Sequence, residues 1–285
     1  MARIGSLELI ARTVVEGVLL GLHRSPFQGF SVEFSEYRQY TPGDDPARID
    51  WKLFARSDRY YVKKFEEDTN LECHLLLDVS ASMGYGSHQV SKLQYGAFLA
   101  ASLAYLVHRQ RDGVGLTLFD DRVVQLVPVG TRGGHLRGLL ATLSHIAVGA
   151  RSAVAMPLNQ LAARMTRRGL VVLISDLLDD PTGIINGLKH LRFRGCDVLV
   201  FHTLDPFELT FPFEHAARFE DLETANEVLV VPAQVREDYL AQIEALVERY
   251  RRELRLADID YCLVDTATPL DTALLAYLST RGRRW

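Results

Sequence analysis

With 285 residues, 48% of them hydrophobic, the chain is long enough for one large or two modest domains around a buried core. A formal charge of -4 and a pI near 6.1 give no basic excess of the kind that binding to a nucleic-acid backbone needs, so nucleic acid is excluded as the principal partner. Cys73, Cys196 and Cys262 sit in separate apolar runs without C-x-x-C spacing, which excludes a disulfide framework and a cysteine zinc site. The expectation is a reducing, cytoplasmic setting.

The chain opens on an apolar stretch over 4–22 that Glu8, Arg12 and Glu16 interrupt at helical spacing. That pattern predicts an amphipathic helix. A spanning segment needs about 20 largely uncharged residues, and a signal peptide needs an unbroken apolar run with a small-residue cleavage site. No membrane segment is expected anywhere in the chain.

Residues 21–70 lack long periodicity. Alternation over 34–40 suggests a strand, and Pro42-Gly43-Asp44-Asp45-Pro46 is turn chemistry, since proline fixes one dihedral, glycine accepts positive φ and aspartate bonds its own backbone. Trp51 is expected to pack inward. The charged residues here, among them Glu36, Arg38, Asp44, Asp45, Arg48 and Asp50, read as ion pairs and turns rather than as a catalytic cluster.

From residue 71 the rhythm changes to alternating strands and helices. A strand ending at Asp78 is followed by a helix over 92–111, a hairpin of strands 113–119 and 123–129 turning at Asp120-Asp121, and a helix over 134–146. Thr131 reads as a cap near that last helix start. Next come a helix over 155–166, a strand 170–176, a helix 183–194 and a strand 197–204. A small hairpin insert is expected around 218–221 and 228–231, then a helix 236–254, a strand 259–264 and a helix 270–280. The fold class is therefore α/β: a Rossmann-like, mostly parallel sheet with helices on both faces, preceded by a smaller N-terminal β-containing segment. The expected division is 1–70 and 71–285.

Ligands in open α/β sheets bind beyond the carboxyl ends of the strands, and two of these strands end on aspartate, Asp78 and Asp176. The first continues as Asp78-x-Ser80-x-Ser82. One carboxylate and two hydroxyls on a short loop are all oxygen donors, which suits a hard cation such as magnesium rather than zinc. The same triplet is also ordinary turn and cap chemistry.

With both strand ends in view, the sequence resembles the von Willebrand factor A family. Its metal-ion-dependent adhesion site uses a D-x-S-x-S loop, a threonine from a separate loop and an aspartate at a later strand end. Asp78, Ser80, Ser82 and Asp176 match that pattern, and Ser152 stands where the family usually has threonine. The resemblance implies a metal site formed by Asp78, Ser80, Ser82, Ser152 and Asp176, holding Mg2+, with Mn2+ or Ca2+ as alternatives.

A narrower resemblance rests on Glu36-x-Arg38-x-Tyr40, Pro42-Gly43-Asp44-Asp45 and Arg48-Ile49-Asp50-Trp51 in that order before the D-x-S-x-S strand. Lys63-Lys64-Phe65-Glu66-Glu67, Arg132-Gly133-Gly134-His135-Leu136 and Asp205-Pro206 extend it over nearly the whole chain. They resemble an uncharacterised bacterial domain-of-unknown-function family that carries a von Willebrand A-like half and is typically encoded beside MoxR-type AAA+ ATPases. The resemblance implies a non-enzymatic, metal-dependent adaptor whose partners are such an ATPase and a client protein offering an acidic residue.

The alternative is a metal-dependent phosphoester hydrolase using Asp78. An aspartyl phosphatase needs a second aspartate two residues on, and Ser80 occupies that place. Neither loop serine lies in G-x-S-x-G, and Gly130-Thr131-Arg132-Gly133-Gly134 has no phosphate-loop spacing, so nucleotide hydrolysis is not expected of this chain.

Overall fold

The structure is a computed structural model that describes residues 2–24, 37–39, 60–63, 71–149, 153–164, 168–223 and 226–281. Helix α1 (Ala2–Arg24) is followed by a two-stranded antiparallel pair, β1 (Tyr37–Gln39) with β2 (Tyr61–Lys63). The turn-rich motifs between those two strands, Trp51 included, lie outside the described residues.

The main sheet has six strands. In chain order they are β3 (Glu72–Asp78), β4 (Gly113–Phe119), β5 (Val123–Gly130), β6 (Leu170–Ser175), β7 (Asp197–Leu204) and, after a small hairpin of β8 (Ala217–Glu220) and β9 (Glu227–Val230), β10 (Asp260–Asp265). Their spatial order is β10-β7-β6-β3-β4-β5, and only β5 runs antiparallel. The connecting helices are α2 (Lys92–Arg109), α3 (His135–Ser144), α4 (Ala155–Arg164), α5 (Pro181–Phe193), the short α6 (Pro206–Thr210), α7 (Pro232–Leu256) and α8 (Leu270–Arg281).

Two cores flank the sheet, because its strands are apolar on both sides. Cys73, Leu75 and Leu77 of β3, Val172 and Ile174 of β6, and Leu199 and Phe201 of β7 face one core, shared with α1, α2, α3 and α8. Leu76, Val171, Leu173, Val198 and Val200 alternate with them and face the other, shared with α4, α5 and α7. Helix α1 joins the first core through Leu7, Ala11 and Val18, spaced along one helical face. Helix α2 packs tightly on the sheet. A Cβ at Gly96 would come within 2.9 Å of a Leu77 methyl, so glycine lets this helix settle directly over β3.

Helix ends follow local chemistry. Ser91 and Gln94 form a reciprocal capping box at α2, and Asp180 accepts from the backbone N–H of Thr182 and Gly183 ahead of Pro181 at α5. Helix α7 starts at Pro232, earlier than the 236 expected, because proline is favoured in a first turn. The N-cap of α3 is Gly134 and not Thr131. Among the described residues no helix is long and apolar enough to cross a membrane.

This topology fixes where a site can form. The chain leaves β3 toward β4 on one side, whereas β6 leads to β7 on the other, so adjacent β3 and β6 form the switch point of the sheet. Their connections diverge and open a crevice at the carboxyl ends of these two strands, where Asp78 and Asp176 emerge.

Candidate functional site

Asp78 is wholly buried at the end of β3. One carboxylate oxygen accepts the Ser80 backbone N–H at 2.9 Å and the other accepts the Ser175 hydroxyl at 2.6 Å. Ser80 is buried and Ser82 half-buried, their hydroxyl oxygens 3.1 Å apart. The loop is pinned from beyond by Gly149, whose N–H donates to the Val79 carbonyl at 2.5 Å. A Cβ at Gly149 would lie 2.8 Å from an Asp120 carboxylate oxygen and 3.0 Å from the Val79 carbonyl, so a side chain here would have to push one of them aside.

Asp176, also fully buried, stands on the neighbouring strand end. The peptide that follows it is clamped from three sides. His202 Nε2 donates to the Asp176 carbonyl at 2.8 Å, the Leu177 N–H donates to Ser175 Oγ at 2.9 Å, and Tyr250 donates its hydroxyl to the Leu177 carbonyl at 3.1 Å. Because a carbonyl can only accept, His202 carries its proton on Nε2, and Nδ1 accepts from the Tyr261 hydroxyl at 2.7 Å. Burial pushes the His202 pKa down to about 4, consistent with this neutral ring. The clamp holds Leu177 at φ 53, a left-handed conformation that costs a bulky residue about 1–3 kcal/mol and recurs where a strained turn serves a site.

The charge here was not anticipated. Lys92, fully buried in the first turn of α2, places Nζ 2.8 Å from Asp176 Oδ2 and 2.6 Å from Glu208 Oε1. Burial alone would lower the lysine pKa, but the two carboxylates outweigh it and hold the ammonium above its usual value. Burial pushes Glu208 up, against the pull of Lys92. Asp78 is pushed up to about 7, first by burial and then by the charge of Asp176, against its hydrogen bonds from Ser175 and Ser80. Asp176 and Glu208 thus face one ammonium, with Asp78 beside Asp176, and the net charge left over is negative.

A dication suits that surplus. At the 2.0–2.1 Å bond lengths of magnesium, adjacent ligands of an octahedron stand about 2.9 Å apart, close to the Ser80–Ser82 separation. Every donor is a hard oxygen. The structure places Asp78, Ser80, Ser82 and Asp176, four of the five expected ligands, at the adjacent carboxyl ends of β3 and β6. Ser152 lies outside the described residues. No group of three or more His, Cys, Asp or Glu arranged to hold a metal occurs among the described residues, so the hydroxyls carry much of the ligation in this reading.

Beside Ser82 lies a cavity of about 660 Å3 with Tyr85, Leu178 and Glu208 on its near wall and an aromatic cluster beyond. Phe211 closes α6 at φ 45, and its ring stacks on Phe219 at 5.7 Å and touches Tyr239 at 4.7 Å. Glu208 caps α6 in a box with Asp205 while its other oxygen holds Lys92, so one residue joins the charge network to the aromatic wall.

Lys92 and Glu208 were missed by the sequence reading, yet each left a signal. A lysine in a helix's first turn opposes the helix dipole, and Glu208 stands three residues after Asp205 in capping-box register.

The sequence profile described as "Protein of unknown function DUF58" matches residues 36–249. An uncharacterized protein of Mycobacterium tuberculosis is 31% identical over 84% of this chain and 76% of its own length, as is one from Mycobacterium bovis. Among solved structures, an aerotolerance-related membrane protein from Bacteroides fragilis, crystallised with multiple mutations to serines, is similar at TM-score 0.50 and 18% identity over 75% of this chain and 100% of that one. That likeness is one of fold.

Proposed function

Because the chain belongs to the DUF58 family of proteins of unknown function and has a von Willebrand factor A-like α/β fold, we propose that it is a non-enzymatic, metal-dependent protein-interaction adaptor. The observation that carries this reading is the surplus of buried carboxylate around the Ser80–Ser82 hydroxyl pair at the β3/β6 switch point. Asp78, Ser80, Ser82 and Asp176 would hold magnesium, with Ser152 as the fifth ligand carried over from the resemblance. When bound, magnesium supplies a Lewis-acidic position that an Asp or Glu of a partner can occupy, since a magnesium ion with few protein ligands keeps exchangeable waters. Hydrogen bonds from Ser175 and the Ser80 N–H orient Asp78, and the clamped Leu177 turn orients Asp176.

The partners proposed are a MoxR-type AAA+ ATPase and a client with an exposed acidic residue, in the cytoplasm, where Cys73 and Cys196 stay buried thiols. The test is capture of the purified ATPase by the full chain with magnesium, with chelator, and with Asp78→Asn. Capture lost in both of the last two conditions is expected. Capture indifferent to chelator would defeat the metal dependence, and phosphate release from a generic ester that Asp78→Asn abolishes would replace the adaptor with a hydrolase.

A further inference from the structure

Lys92 has no place in the ligand set just described, yet it pairs with one of its members, Asp176. Its side chain is buried along its whole length, its ammonium 5.9 Å from the centre of the Tyr85 ring, and it takes one of the two oxygens through which Asp176 could meet a dication. The other Asp176 oxygen faces the Leu178 N–H at 3.3 Å.

One carboxylate balances the charge of one ammonium, and the three N–H donors of lysine leave room for a second. Here Glu208, 17% exposed, gives the ammonium a second carboxylate at 2.6 Å. If Asp176 turned to a metal, Lys92 would still be paired, which makes the exchange inexpensive. A fixed positive charge next to a metal position also repels a dication directly, and more strongly in a buried site than in water.

We infer that Lys92 is a tethered competitor for the metal at Asp176, keeping the affinity of the chain for free magnesium low, so that a partner's carboxylate is needed to complete the site. This rests on the metal reading proposed above, and concerns a residue that the D-x-S-x-S pattern does not contain.

The experiment is calorimetric titration of the full chain with magnesium chloride, comparing wild type with Lys92→Met and with Lys92→Gln, whose amide can still bond a carboxylate. Both variants are expected to bind magnesium tighter by on the order of tenfold or more. Folded variants that bind with wild-type affinity or weaker would overturn the inference. A variant that folds only when magnesium is added supports it, because the dication has then taken the place of the ammonium; one that stays unfolded at saturating magnesium counts against it. Binding by the variants alone would uphold the competitor and the metal site together, the wild type then needing the partner's carboxylate, whereas equal binding by all three would overturn the competitor and leave the metal reading standing; no binding by any of the three would defeat both.

Discussion

At the amino end of β3, Glu72 and His74 stand 3.8 Å apart with their side chains 25% and 27% exposed; at the carboxyl end Asp78 is fully buried among Ser175, Ser80 and the Asp176–Lys92–Glu208 network. Water can solvate the first pair, so its energy is small and replaceable. At the second end Asp78, Asp176 and Lys92 are out of reach of solvent, and each of these charges depends on specific partners. A cavity of about 280 Å3 also opens beside Glu72 and His74, but it is walled mainly by apolar residues of β4 and β5 and gathers no hydroxyl pair. The same strand is thus tolerant at one end and exacting at the other. The carboxyl end is the more deeply buried of the two.

The sharpest way to break this contrast is to remove the ammonium. Lys92→Met leaves Asp176 and Glu208 facing each other unpaired, and the metal-free protein is expected to lose about 3–5 kcal/mol, read by urea denaturation in chelator. A loss below 1 kcal/mol would show that the carboxyl end is as tolerant as the other. Gly149→Ala is expected to cost about 1–3 kcal/mol, because the new methyl meets Asp120 and the Val79 carbonyl and pushes the Asp78 loop from its anchor; the same denaturation assay checks it.

The smallest effect belongs to the amino end. Burial holds the His74 pKa below its ordinary value despite nearby Glu72, so the folded state keeps this ring neutral. The stability from the neutral ring is present above the unfolded pKa of about 6.5 and is lost as pH falls through the depressed folded value. Wild type should therefore lose more stability than His74→Gln between neutral and acidic pH. Parallel pH profiles for the two proteins would rule the effect out.

How much of this was legible follows from which interactions are local. Asp78 and Asp176 could be found because each ends a run of β-forming residues, and a strand's carboxyl end in a parallel sheet is a known address. The N-terminal helix and the insert hairpin were legible from charge spacing and alternation. Lys92 was not, since nothing in a helix's first turn says that its ammonium will meet a carboxylate from β6 and another from α6. The left-handed Leu177 was equally hidden: leucine does not favour that conformation, and only the tertiary clamp from Tyr250, His202 and Ser175 imposes it.

By itself the sequence determined the α/β alternation, the two-faced apolar strands and the oxygen-donor loop after Asp78, because periodicity and strand-end chemistry are written in neighbouring residues. Only the tertiary structure decided that β3 and β6 lie side by side, that two carboxylates from different elements meet there on one buried lysine, and that an aromatic cavity opens next to Ser82. Those depend on strand order and on side chains meeting across the fold, where burial sets the strength of every charge.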